Sequence, residues 1–308
     1  MANLLTSFLN FFQSSSSLQE VKSGSKDMNP ELNKETPSAV GAFREKIAKQ
    51  AEAIWADGPH PTDIFTGFVL LSKGTWDQEQ FTRDMKEKWD IIVDECDASE
   101  EKGNNILVFR VDDMLAAVSL IDSPIPGGEA EANAKNNYMW SDAVKAAKEH
   151  RSHLIVAVLG KEEDLLEKGK LFTKVLAVCC CQKYATGIYT SGVVFEPRFY
   201  EAFANMMKKG ELPIFNWVWF GFWQNKKGMN GYTSGLEAFG KEEMEVLGTN
   251  ADPSDLRGFL ASLVSYVLEN DVELHNGETI GFSANDRHTI TRSPGVGLPK
   301  NQMTLKIS

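Results

Sequence analysis

Runs of basic residues, paired metal ligands and nucleophile motifs are missing from this 308-residue sequence. Lysine and arginine total 32 against 43 aspartates and glutamates, a formal charge of −11 at pH 7. Nucleic-acid binders need a basic stripe to neutralise phosphates, so no nucleic-acid partner is expected. The four cysteines include no C-x-x-C pair, and Cys179, Cys180 and Cys181 are adjacent. Neighbours on one helix point in different directions, which rules out an ordinary disulfide framework. With no secretion signal in view, this predicts a reducing, cytoplasmic location. A G-x-S-x-G elbow is absent, and Gly127-Gly128 leads into no Lys-Ser/Thr phosphate cradle. No transmembrane segment is expected either. The apolar stretch Met1–Gln13 is too short to span a bilayer, with no basic residue before it and no A-x-A site after it.

At 42% hydrophobic and 24% charged residues the composition is that of a globular protein able to bury a large core. Ser14–Ser38 is rich in Ser, Lys, Glu, Asn and Pro and reads as a linker too poor in apolar groups to fold. Residues 1–45 are therefore expected to form a disordered or loosely docked tail, and 46–308 a single domain. Met1–Gln13 itself is open to three readings: a loose end, a docked helix, or a weak contact with membrane. A short helix over about Val40–Trp55 is expected next.

In the body, strands and helices alternate. Phe65–Leu71 reads as a strand, and Thr75-Trp-Asp-Gln78 as a capping box opening a helix. Ile106–Arg110 and Met114–Ile121 read as a hairpin, Tyr138–His150 as a helix and Leu154–Leu159 as a strand. Residues 162–182 read as a long helix, Gly187–Phe195 as a strand, and Pro197 as the first position of another helix. Asp252-Pro253 opens the cleanest helix, with Leu256, Phe259, Leu260, Leu263, Val264, Val267 and Leu268 on one stripe. Short strands around 278–282, 288–292 and 303–307 follow. This order predicts an α+β fold with a mixed, mostly antiparallel sheet and packed helices, and it also fits two ferredoxin-like halves sharing one sheet.

Ile214–Gln224 holds three of the seven tryptophans. Strand alternation would put Phe215, Trp217, Trp219 and Trp223 on one face and Ile214, Val218, Phe220 and Phe222 on the other. A strand apolar on both faces is expected in the middle of a sheet.

Candidate chemistry is thin. His150 and His153 flank a helix-to-strand junction without further metal ligands, so no metal and no cofactor is expected. Cys179 and Cys180 lie on an apolar stripe and read as small buried hydrophobes. Cys96 sits among carboxylates, which raise a thiol pKa and argue against a nucleophile. Glu243 and Glu245 share one strand face and read as a solvated face. Trp223, beyond Gly221 and before a polar loop, is open to two readings. With Tyr232 it closes the bottom of the core, as most aromatics do, or with Tyr232 and Thr233 it forms a binding surface, since tryptophan and tyrosine are the usual anchors.

Several pieces in order resemble DUF4261, an uncharacterised bacterial family. They are Phe65-Thr-Gly-Phe-Val-Leu-Leu-Ser72, Ser123-Pro-Ile-Pro-Gly-Gly-Glu129 with Trp140-Ser-Asp-Ala143, His150 through Val156, Ala185-Thr-Gly-Ile-Tyr189, and Tyr232-Thr-Ser-Gly-Leu-Glu-Ala-Phe-Gly-Lys-Glu-Glu-Met-Glu-Val246. The similarity would run from about Ile64 onward. It implies a cytoplasmic bacterial α+β protein and, by analogy only, a toxin–immunity or secretion-system neighbourhood. It offers no catalytic residues to carry over.

The expected function is therefore a non-enzymatic protein-binding module, in the manner of an immunity or accessory protein, with a protein partner. The alternative is an enzyme of unrecognised type with a cleft formed by His150, His153, Tyr189, Thr233 and Glu243. A third reading is a membrane-adjacent role for Met1–Gln13.

Overall fold

The computed structural model describes residues 64–94, 106–160, 165–283 and 286–308. The tail, Met1–Gln13, the helix expected over 40–55, the boundary at 46 and Cys96 lie outside the described residues. Among the described residues, two six-stranded sheets and seven α-helices make an α+β fold. Among the described strands nine pairings are antiparallel and one is parallel.

The first sheet runs β2-β3-β4-β1-β5-β6, all antiparallel. Its strands are β1 (Phe65–Leu71), β2 (Ile106–Val111), β3 (Met114–Ile121), β4 (Ser152–Leu159), β5 (Ala185–Thr190) and β6 (Val193–Phe195). Alternation divides each strand between two apolar layers. Phe65, Val69 and Leu71 of β1 enter the larger core, while Phe68 and Leu70 enter a smaller one. Between β1 and β2 lies helix α1 (Gln78–Trp89). Helices α2 (Glu129–Ala134) and α3 (Ala143–Glu149) close the smaller core. Ala130, Ala134, Ala143 and Ala147 are its buried helical residues, and such short side chains let a helix lie close to the sheet. Helix α4 (Leu165–Cys179) crosses the opposite face, so near β1 that a methyl group at Gly67 would come within 2.8 Å of Phe172.

Helices α5 (Pro197–Ala204) and α6 (Ile214–Trp217) connect to the second sheet, ordered β10-β11-β12-β9-β8-β7. It comprises β7 (Trp219–Asn225), β8 (Gly228–Ser234), β9 (Met244–Thr249), β10 (Thr279–Ser283), β11 (Asp286–Pro294) and β12 (Met303–Ile307), with β9 and β12 parallel. Helix α7 (Pro253–Glu269) has Pro253 at its first position, and the Asp252 carboxylate accepts the Ser254 and Asp255 N–H groups at 2.8 and 2.9 Å. It packs Leu256, Leu260, Leu263 and Val264 into the larger core, which runs unbroken from Phe65 to Ile307 and joins both sheets.

Several expectations need correction. The two halves do not share one sheet, so the ferredoxin-like refinement fails. The tryptophan stretch is not a central strand: Ile214–Trp217 is a helical turn and β7 is the edge of its sheet. Polar anchors hold that turn, because the Asn216 amide donates to Tyr200 O at 2.9 Å and the Trp217 indole to Thr173 Oγ1 at 2.7 Å. Apolar content on both sides came from a change of conformation, not from two covered strand faces. The expected strand 187–195 is a hairpin, turned at Ser191-Gly192 with φ of 52° and 68°. The expected capping box is displaced: Asp77 caps α1, accepting from Gln80 N–H at 2.8 Å. The expected 138–150 helix begins only at Ala143, because Asn137 Oδ1 binds the Met139 and Trp140 N–H groups in a turn.

Candidate functional site

The five residues of the enzyme reading fall into two groups on different sheets. His150 follows α3; its Nε2 accepts the Ile125 N–H at 2.8 Å and its Nδ1–H donates to Ala147 O. His153 on β4 donates from Nδ1 to Ser123 O at 2.8 Å and sets its ring edge against Phe68. Burial lowers its pKa to about 4, against the opposing effect of the Ser123 carbonyl. Tyr189 stacks on Phe68, donates its hydroxyl to Glu129 Oε1 at 2.6 Å and accepts from Asn133 Nδ2 at 3.0 Å. These three residues clasp the Ser123–Glu129 segment onto the first sheet.

Thr233 and Glu243 belong to the second sheet. The buried Thr233 hydroxyl donates to Glu243 Oε2 at 2.7 Å and accepts the Met244 N–H at 2.8 Å. Glu243 Oε1 takes the Gly235 N–H at 2.6 Å and the Glu237 N–H at 3.3 Å, which fixes the turn at 235–239. Burial raises the Glu243 pKa in spite of these bonds.

Glu243 and Glu245 are both buried, so the solvated-face reading is wrong. The reason is visible at Glu245. The β11–β12 loop turns three successive backbone N–H groups onto its Oε1: Val296 at 3.0 Å, Gly297 at 2.7 Å and Leu298 at 3.2 Å. Thr304 Oγ1 at 3.0 Å and Lys306 Nζ at 2.8 Å complete Oε2. Such a nest of amides is an anion site, and here the anion is internal. Burial opposes the charge, but Lys306 and the loop amides outweigh it and hold the carboxyl below its ordinary range. With every acceptor position spent, Glu245 is a latch and not a base. The signal in the sequence was Gly295-Val-Gly-Leu between two prolines, a loop with spare N–H groups, and Thr304 and Lys306 two apart on a strand.

Trp223 and Tyr232 do come together. Their ring centroids lie 6.0 Å apart, both half-buried. The Tyr232 ring covers Gly221, and the indole lies over Gly297, where a methyl group would sit 2.5 Å from it. The same loop that latches Glu245 thus floors this aromatic pair. Thr233 points elsewhere and is not part of that surface.

Beside the pair runs the outer edge of β7. Strand backbones point alternately to either side, and Phe220 O receives the Tyr138 hydroxyl at 3.0 Å on the side away from β8. The N–H and C=O groups of Phe222 and Gln224 face that same way. A shallow cleft of about 430 Å³, lined by Tyr138, Phe222, Pro253, Ser254 and Arg257, opens there. Tyr138 is 50% exposed, with Met139 beside Arg257 at 3.8 Å. Sequence reasoning missed Tyr138, Phe222 and Arg257, which meet only through tertiary packing.

A second hollow of about 340 Å³ involves Lys241, Glu242, His275 and Arg292. Its cations are engaged, Lys241 with Asp271 at 2.6 Å and Arg292 with Glu242 at 2.6 Å. Among the described residues no three His, Cys, Asp or Glu side chains are grouped to hold a metal ion, and no helix is long and apolar enough to cross a membrane.

Residues 232–308 match the family model described as a domain of unknown function (DUF4261). That stretch spans Tyr232 in β8 through β12, and so contains the Glu243 and Glu245 contacts; the resembling pieces at 65–189 lie outside it. No curated protein and no solved structure matches the chain.

Proposed function

We propose that the chain is a protein-binding module that takes up an extended segment of a protein partner along the outer edge of β7. The observation that carries this reading is the row of backbone groups at Phe222 and Gln224, turned away from β8 at a sheet edge. An added strand supplies the missing partners, and alternate side chains then choose the ligand. The cleft at Tyr138, Phe222 and Arg257 offers aromatic surface and one cation, suited to a segment carrying a carboxylate beside an apolar residue. Trp223 and Tyr232 border the same edge. An enzyme is less well supported, because the polar atoms of His150, Tyr189, Thr233 and Glu243 are occupied in holding loops.

Replacing Gln224 by proline tests this directly. Its N–H faces outward, so proline removes a group the sheet does not use, as on natural edge strands. With the full chain as bait in its host, the partner held by wild type should be lost at least about tenfold, which is ~1.4 kcal/mol of binding. The melting midpoint should stay unchanged. Undiminished capture by folded Gln224→Pro would exclude the edge as the site.

A further inference from the structure

Helices α1 and α5 and the turn after α4 bring together a cluster of three side chains. Lys88 stands in the last turn of α1, Cys181 just beyond α4, and Glu201 on α5. Lys88 Nζ lies 2.8 Å from Cys181 Sγ and 2.9 Å from Glu201 Oε1, and Glu201 Oε1 is 3.5 Å from the sulfur. An N–H···O bond is typically ~2.9–3.0 Å, so 2.8 Å to the larger sulfur atom is close. The ammonium and carboxylate side chains are 31% and 36% exposed, and Cys181 between them is half-buried.

We propose that Lys88 and Cys181 form a redox-controlled covalent bridge in which one oxygen atom links the lysine nitrogen to the cysteine sulfur. The oxidant is a peroxide. Cys181 takes one oxygen from hydrogen peroxide to become a sulfenic acid, releasing one water. A second peroxide then removes two electrons from the sulfenic acid and the amine together. The S–O–H and N–H bonds each give up a hydrogen, an O–N bond forms, and the peroxide leaves as two waters. In the resting state burial works against the Lys88 charge, but its bonds to Cys181 and Glu201 outweigh this, so the side chain is an ammonium. Burial raises the Cys181 pKa in spite of Lys88, so oxidation starts from the thiol. Glu201, in contact with both partners, is placed to receive the proton the nitrogen sheds. A single bridging atom fits the existing separation with little movement, whereas a direct N–S bond would require the helices to close further. Two equivalents of a dithiol return the thiol, the amine and one water. Closed, the bridge ties residues 88 and 181 and restricts the unfolded chain as a disulfide would.

The experiment is intact-mass and peptide mapping of the full chain after hydrogen peroxide, before and after dithiothreitol. The expected product gains one oxygen and loses two hydrogens. It yields one peptide joining the Lys88 and Cys181 segments, melts at a higher temperature, and reverts on reduction. Lys88→Arg keeps the ion pair with Glu201 and should give no linked peptide. The proposal is overturned if Lys88→Arg gives the same product. It is equally overturned if wild type gains only whole oxygens, if it forms only a disulfide among Cys179, Cys180 and Cys181, or if no linked peptide appears.

Discussion

The two sheets have the same number of strands and treat their polar residues differently. In the first, apolar side chains fill both faces, and His150, His153 and Tyr189 tie down one loop. In the second, one face meets α7, while the other carries Glu245, Thr304 and Lys306 under a loop and ends in an edge strand whose burial declines from Trp219 to Asn225. A sheet covered on both faces is a scaffold. On the proposed reading, a sheet with one polar face and an edge strand unpaired among the described residues has surface left for a partner. Both sheets end in edge strands, β2 and β6 in the first and β10 and β7 in the second, so the difference lies in the polar face of the second sheet and the cleft beside β7.

The largest effects should come from removing an anchor of either kind in the second sheet. Trp219→Ala deletes a buried indole and should cost ~3–5 kcal/mol in urea melts. Glu245→Ala leaves Lys306 and three amides without their anion and should cost about as much, ~3–5 kcal/mol. A loss below ~1 kcal/mol for Glu245→Ala would mean the latch is ornamental and would erase the contrast between the sheets.

Acid should separate the sheets next. His153 has its pKa depressed from 6.5 to about 4, so its contribution is complete above 6.5 and is lost as pH falls toward 4. At ~1.4 kcal/mol per unit this amounts to roughly 3 kcal/mol. Glu245, lowered from 4.5, contributes above 4.5 and loses its effect only below it. Glu243 acts in the opposite sense: its raised pKa favours the fold at low pH, and that benefit fades as pH rises through the raised value. Urea melts of His153→Gln between pH 7 and 5 should therefore be flatter than wild type, while Glu245→Gln should differ in pH dependence mainly below 4.5. If His153→Gln keeps the wild-type slope, its ring is not the titrating group.

The smallest effect should be at the edge. Tyr138→Phe removes one hydrogen bond to Phe220 O and should cost ~0.5–1.5 kcal/mol, with faster amide exchange in the first half of β7. Exchange unchanged there would mean the hydroxyl does not secure the edge.

Local signals carried the sequence reading well where one mechanism decides the outcome. Asp252-Pro253 with its apolar stripe gave α7, Pro197 gave the start of α5, and the paired runs around Asp112-Asp113 gave the β2–β3 hairpin. Reading failed where a distant residue decides. Glu243 and Glu245 look solvated because their donors lie on other segments, some more than fifty residues away in the case of Glu245. The tryptophan stretch looks like a central strand because Thr173 and Tyr200, the partners of Trp217 and Asn216, are invisible in its own periodicity. Trp223 and Tyr232 were legible as neighbours at a strand end, whereas Tyr138 arrives from the turn between α2 and α3 and Arg257 from α7.

The central claim is that the partner surface is the edge of the second sheet and not that of the first. The direct measurement places a photo-activated benzophenone side chain at position 224 on β7, or at position 110 on β2, an edge strand of the first sheet, and irradiates the full chain in its host. The account predicts one adduct of defined mass from position 224, abolished when Phe222→Pro is added, and none from position 110. An adduct from position 110 alone, or none from position 224 in cells where the wild-type chain captures its partner, would contradict it.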